Sequence, residues 1–107
     1  MAAVVALVTC PAGAAERVAE AIVGARAAAC ASVVPGLRSV YWWRGALERA
    51  DESLVVLKTV RDALPEVERI LREVHPYETF ELVAVDVSDG SAAYLAWIAA
   101  ETRPAPG

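Results

Sequence analysis

Two β-rich stretches, Cys30–Trp43 and Leu47–Val60, separated only by Arg44-Gly45-Ala46, dominate a chain of 107 residues. Each arm far exceeds the roughly 5–6 residues of an ordinary strand, so the pair reads as one long hairpin that overruns a domain of this size. In the second arm Leu54, Val56 and Val60 alternate with Val55, Leu57 and Thr59. The first arm is interrupted at Pro35-Gly36. Proline has no N–H for the ladder and glycine packs nothing, so this pair marks a bulge or an edge. Trp42, Trp43, Arg44, Glu48, Arg49 and Asp51 fall at the tip. Strand alternation puts Tyr41 and Trp43 on one face and Trp42 on the other. Aromatic residues on an overhanging tip need a surface to pack on, and a neighbouring copy of the chain is the simplest one.

The remaining segments fill in around the hairpin. Residues 3–9 form a short apolar run ending at Thr9-Cys10-Pro11, suited to a central strand buried on both faces. Residues 14–29 are mostly strong helix formers, with Val18, Ile22, Ala25 and Ala29 at helical spacing and Glu16, Arg17, Glu20 and Arg26 opposite. Asp62 reads as an N-cap, with Pro65 in the first turn of a helix carrying Leu64, Val67, Ile70, Leu71 and Val74 on one stripe. That helix stops near His75, because Pro76 follows. Phe80 to Val87 reads as a fourth strand. Asp89-Gly90 makes a turn, and Ser91 caps a last helix with Tyr94, Leu95, Trp97 and Ile98. The terminal residues 103–107 read as a frayed tail. The order strand, helix, strand, strand, helix, strand, helix predicts one α+β domain over 1–107. It is a ferredoxin-like split βαβ sandwich with a long β-hairpin and an extra C-terminal helix.

Several segments together resemble the CutA family. Arg26-Ala27-Ala28-Ala29-Cys30 is similar to its R-L-A-A-C segment, with Ala27 in place of leucine. Ser39-Val40-Tyr41-Trp42-Trp43-Arg44-Gly45 is similar to S-x-Y-x-W-x-G. Glu52 with Lys58-Thr59 matches an E…KT spacing, and His75-Pro76-Tyr77-Glu78 matches HPYE. Thr79-Phe80-Glu81 follows where the family often has proline before the glutamate. Tyr94-Leu95-Ala96-Trp97-Ile98 resembles the closing YLxWI. The segments occur in order and span nearly the whole chain. The resemblance implies a homotrimer built by sheet pairing between subunits, and an association with tolerance of divalent cations, copper especially.

The residues also suggest where chemistry could lie. His75 is the sole histidine, able to bind a transition metal or move a proton. Glu78 and Glu81 are close in sequence and Cys30 adds a soft donor, a set suited to copper or another divalent cation. The competing role for His75 is to end a helix and cap its carbonyls, and for Cys30 to be a small buried hydrophobe. Lys58 lies in an otherwise apolar strand and must reach water or an anion. With Tyr77 and Trp43 it could line an intersubunit cleft for a small anionic ligand, in the manner of PII-type signalling trimers, an analogy of fold alone. Tyr41, Trp42 and Trp43 are the expected trimer contacts.

Other classes are disfavoured. The net charge is −4 with scattered arginines, so nucleic acid is not an expected partner. No apolar run approaches the roughly 20 residues of a membrane span, and the apolar N-terminus lacks the basic start of a secretory signal. A cytoplasmic protein with reduced thiols is expected. No nucleophile elbow, phosphate loop or metalloprotease helix occurs, so no enzymatic reaction or organic cofactor is assigned. An unknown protein partner is compatible with the signalling reading.

Overall fold

A computed structural model describes residues 2–103. Strand β1 (Ala3–Pro11) leads through a 3-10 turn into helix α1 (Ala15–Gly24). Strands β2 (Cys30–Trp43) and β3 (Ala46–Val60) follow, then helix α2 (Leu64–Val74), strand β4 (Val83–Asp86) and helix α3 (Ala92–Glu101). The fold is α+β, with one antiparallel four-stranded sheet in the order β2-β3-β1-β4.

Alternation in the central strands separates the two sheet faces. Val4, Ala6, Val8 and Cys10 of β1 point one way, with Val55 and Leu57 of β3, and all are fully buried. Against them pack Val18 and Ile22 of α1 and Val67, Ile70 and Leu71 of α2, forming the main core. On the opposite face, register aligns Cys30, Lys58, Val5 and Val85 in one row and Ser32, Val56, Leu7 and Val83 in the next. Helix α3 covers only one end of this face, where Ile98 and Leu95 pack with Val60, Ala63 and Ala29. The rest is open, and Val34, Val83 and Val85 are exposed.

The expected long hairpin is present. Its ladder slips between Val34 and Leu37, where Gly36 has a φ of +82° that a side chain rarely adopts. The tip is a two-residue turn with positive φ at Arg44 and Gly45, the conformation whose twist matches an antiparallel pair. Ala46 therefore belongs to β3 rather than to the turn.

Four sequence expectations are corrected. Helix α1 ends at Gly24, short of Ala29. Arg26 adopts a φ of +60°, and the amides of Arg26 and Ala27 donate back to Val23 and Ile22, a left-handed helix stop. Asp62 is not a cap: it lies within a 3-10 turn, and α2 begins without a side-chain cap. The fourth strand is only Val83–Asp86, because Phe80 and Leu82 pack against the helix-side core instead of joining the ladder. Finally, Arg103 is not frayed, since its amide donates to the Arg26 carbonyl at 2.8 Å; residues 104–107 lie outside the described residues. The Ser91 cap is present, its hydroxyl accepting from the Tyr94 amide at 3.2 Å.

Candidate functional site

The segment after α2 is positioned by His75. Helix α2 stops there, with the His75 amide closing onto Leu71 and the backbone turning extended. Strand β4 reaches only as far as Leu7 on β1. Further along β1, the Thr9 carbonyl is taken instead by His75 Nε2, at 2.8 Å. The Tyr77 amide donates to His75 Nδ1 at 3.0 Å. An acceptor at Nδ1 fixes the neutral tautomer with its proton on Nε2. Phe80 stacks on the imidazole with ring centroids 5.4 Å apart. Both ring nitrogens are thus committed within the chain, and the histidine acts as a clamp between β1 and the 75–80 segment.

The clamp sets Tyr77 over the end of the hairpin's second arm. Its hydroxyl donates to Glu52 Oε2 at 3.0 Å. Glu52 is only 5% exposed, so its carboxylate depends on that bond. Burial, followed by the Glu52 hydrogen bond and charge and by nearby Tyr41 and Cys10, pushes the Tyr77 phenol up to about 12. Burial and Glu52 also raise Glu81. Cys10 is raised by burial and then Glu52, with Arg17 opposing. The Glu52 carboxylate is thus a shared cause of the rises at Tyr77, Glu81 and Cys10 at this end of the sheet.

A second cluster occupies the open sheet face. Cys30 and Lys58 are cross-strand partners, and Lys58 Nζ donates to Ser32 Oγ at 2.7 Å and lies 3.8 Å from Cys30 Sγ. Among the described residues no carboxylate pairs with this ammonium. Tyr94 reaches over from α3, its phenol raised by desolvation and by the neighbouring Cys30 thiol. Both cysteines are free thiols. They belong to opposite faces of the sheet, at opposite ends of β1's pairing with β3.

The sequence candidates thus divide into separate groups. Lys58 and Cys30 meet on the open face, while His75 and Tyr77 meet at the far end of the sheet. Cys30 aligns with Val5 and His75 with Thr9, a separation of about 13 Å along a strand at ~3.3 Å per residue. Cys30 does not reach His75 in one chain, and Glu78 is exposed. Among the described residues no group of three or more His, Cys, Asp or Glu side chains is placed to hold a metal ion. Trp43 is at the hairpin tip under the Arg44 guanidinium, 5.3 Å from the ring centroid, so it does not line one cleft with Lys58 inside a single chain. Tyr41, Trp42 and Trp43 are all exposed. Residue reading missed Glu52 as a site residue. The signal was an acid placed where strand alternation turns it toward the HPYE segment.

Among the described residues no helix is long and apolar enough to cross a membrane. Residues 4–101 match the family model described as CutA1 divalent ion tolerance protein. The chain is 39% identical over 94 residues to Protein CutA of Mus musculus, covering 87% of this chain and 53% of that protein; it spans about half the length of the mammalian relatives it matches. The divalent cation tolerance protein of Thermus thermophilus superposes with a TM-score of 0.92 at 36% identity, covering 94% of this chain and 99% of that one. A protein described as PII-like CutA from Nostoc sp. PCC 7120 superposes with a TM-score of 0.86 at 27% identity, covering 96% and 98%.

Proposed function

The chain belongs to the CutA1 family of divalent ion tolerance proteins, and on that premise we propose that it serves divalent-cation tolerance as a cytoplasmic homotrimer joined through the β2–β3 hairpin. The strand order β2-β3-β1-β4 supports the ferredoxin-like split βαβ reading of each subunit. The observation that carries the assembly is the unpaired apolar surface: exposed Val40, Trp42 and Leu47 on the hairpin, and Val34, Val83 and Val85 on the open sheet face.

Copper or another divalent cation does not fit the side chains of one chain. His75 has no free nitrogen lone pair, because Nδ1 accepts from Tyr77 and Nε2 donates to Thr9, and Cys30, Glu78 and Glu81 do not converge on it. Calorimetric titration of tag-free protein with copper and with zinc tests this. Saturable binding abolished by His75→Ala in a variant that still folds would restore the metal-site reading.

A second reading is favoured by Lys58. Its ammonium lies on an open apolar face with a hydroxyl and a thiol beside it and, among the described residues, no paired carboxylate, an arrangement suited to a small anionic ligand between subunits. The tolerance role would then be exercised by ligand sensing, with an unknown protein partner reading the liganded state. A thermal-shift screen of nucleotides and organic acids tests it: a stabilising hit must disappear in Lys58→Met. A flat screen removes the support for this reading and leaves the assembly untouched.

A further inference from the structure

Cys30 and Lys58 face each other in register across β2 and β3, with their side chains on the same side of the sheet. Lys58 Nζ lies 3.8 Å from Cys30 Sγ, and its hydrogen bond to Ser32 Oγ at 2.7 Å tethers the nitrogen beside the sulfur. Both residues are half-buried. A cationic amine beside a partly accessible thiol is the setting in which cysteines react with oxidants. A separate observation gives the sulfur a route of approach. A cavity of about 530 Å³ at the β2 edge reaches Cys30, with Ala19, Glu20 and Val23 of α1, Ala31 of β2 and Trp97 of α3 in its wall. Cys10 cannot resolve an oxidised Cys30 within the chain, because it is buried on the opposite face of the sheet. Lys58 is the nucleophile within reach.

We propose that Cys30 and Lys58 form a sulfenamide cross-link driven by hydrogen peroxide and reversed by thiols. In the first step the Cys30 sulfur attacks one peroxide oxygen. The O–O bond breaks, the sulfur is oxidised by two electrons to a sulfenic acid, and the second oxygen leaves as water with the thiol proton. In the second step Lys58 Nζ, having given its extra proton to solvent, attacks the same sulfur. The S–N bond forms as the S–O bond breaks, and the oxygen leaves as water with a proton from the nitrogen. This step is a condensation and needs no further oxidant. Sulfenic acids condense with backbone nitrogen in the same way, and the flexible four-carbon stem of lysine closes the remaining distance. The Tyr94 phenol stands beside the same sulfur and can donate to the departing oxygen. The product nitrogen is uncharged, so the bond would also switch off the cation on which the small-anion reading of this face rests. The cross-link itself does not depend on that reading, and its test contains no anionic ligand.

The full chain is treated with hydrogen peroxide, remaining thiols are alkylated, and a glutamyl-endopeptidase digest is read by mass spectrometry. The expected product, from protein that still runs as a single chain on a denaturing gel, is the Cys30 peptide joined to the Lys58 peptide. It is lighter than their sum by two hydrogen atoms, and dithiothreitol separates it. Lys58→Arg keeps the charge but removes the primary amine, so the joined peptide is lost and dimedone traps a sulfenic acid at Cys30. Cys30→Ala loses both products. Circular dichroism checks that each variant folds, and the unmodified protein decides the matter by itself where one does not. Cys30 carried to sulfenic or sulfinic acid with no joined peptide overturns the proposal, as does a Cys30 untouched by peroxide or a joined peptide that persists in Lys58→Arg.

Discussion

Glu52 places a carboxylate where almost no water reaches it, and Tyr77 supplies its hydrogen bond. Such a bond to a charged group is worth about 1.5–3 kcal/mol. Tyr77→Phe should therefore lower stability by about that amount at neutral pH, measured by urea denaturation. The pH dependence follows from the phenol's rise from 10.0 to about 12. The unfolded tyrosine ionises first, so this contribution is fully present below pH 10 and is lost as pH climbs toward 12. Stability of the unmodified protein should fall by up to about 2–3 kcal/mol from this group across that window. Tyr77→Phe should lack that component. An unchanged alkaline limb in the variant would show that Tyr77 titrates as it does when unfolded. His75 was legible in the sequence as a helix stop, because Pro76 announces it. Its clamp on Thr9 was not, because that bond depends on β4 starting late, at Val83, which is decided by Phe80 and Leu82 finding the core.

At the scale of elements, backbone chemistry was readable wherever a residue had a single physical reason to be there. Pro35-Gly36 marked the bulge, Arg44-Gly45 the tip and Ser91 the cap of α3. The misreadings arose where several local signals competed. An alanine-rich stretch continues the helical pattern past Gly24, yet the chain must turn to feed β2, and Arg26 absorbs the left-handed conformation. Asp62 has the side chain of a cap, but the chain enters α2 through a tight 3-10 turn. Alanine substitution should separate backbone from contact effects. At Gly36 and Gly45 a Cβ would meet nothing within 4 Å, but φ is +82° and +81°. Gly36→Ala and Gly45→Ala should each cost about 1–2 kcal/mol through backbone strain alone. Gly24, at the end of α1, is equally open and has no positive φ. Gly24→Ala should gain up to about 1 kcal/mol from helix propensity. Denaturation midpoints of the three variants check the opposite signs; three shifts in one direction would contradict the backbone argument.

On the whole molecule, the hairpin draws the chain out to 43 × 28 × 23 Å. Its accessible surface is 6460 Å², against about 5,700 Å² for a compact monomer of this mass. The excess is close to the ~800 Å² that one partner buries in a standard interface. Much of the uncovered surface is apolar, and Trp42 is 74% exposed, a poor state for an indole outside an interface. In the ring proposed above, pairing the hairpin of each copy with the next would cover these surfaces with identical contacts and would protect the β2 edge from recruiting further chains. Because the Trp42 ring packs on so little within its own chain, Trp42→Ala should leave the isolated fold nearly as stable while weakening assembly by roughly 2–4 kcal/mol per site. Trp43→Ala should act in the same direction, with some loss inside the chain because Arg44 lies over that ring. The proposed contacts would be apolar, so raising salt should not dissociate the assembly as it would one held by surface ion pairs. Sedimentation velocity at micromolar concentration decides the matter. The unmodified protein should run as a trimer, and Trp42→Ala should shift toward smaller species without losing its secondary-structure signal. A stable monomer or dimer of the unmodified protein would sink the ring, because the open face and the hairpin would then have no common partner.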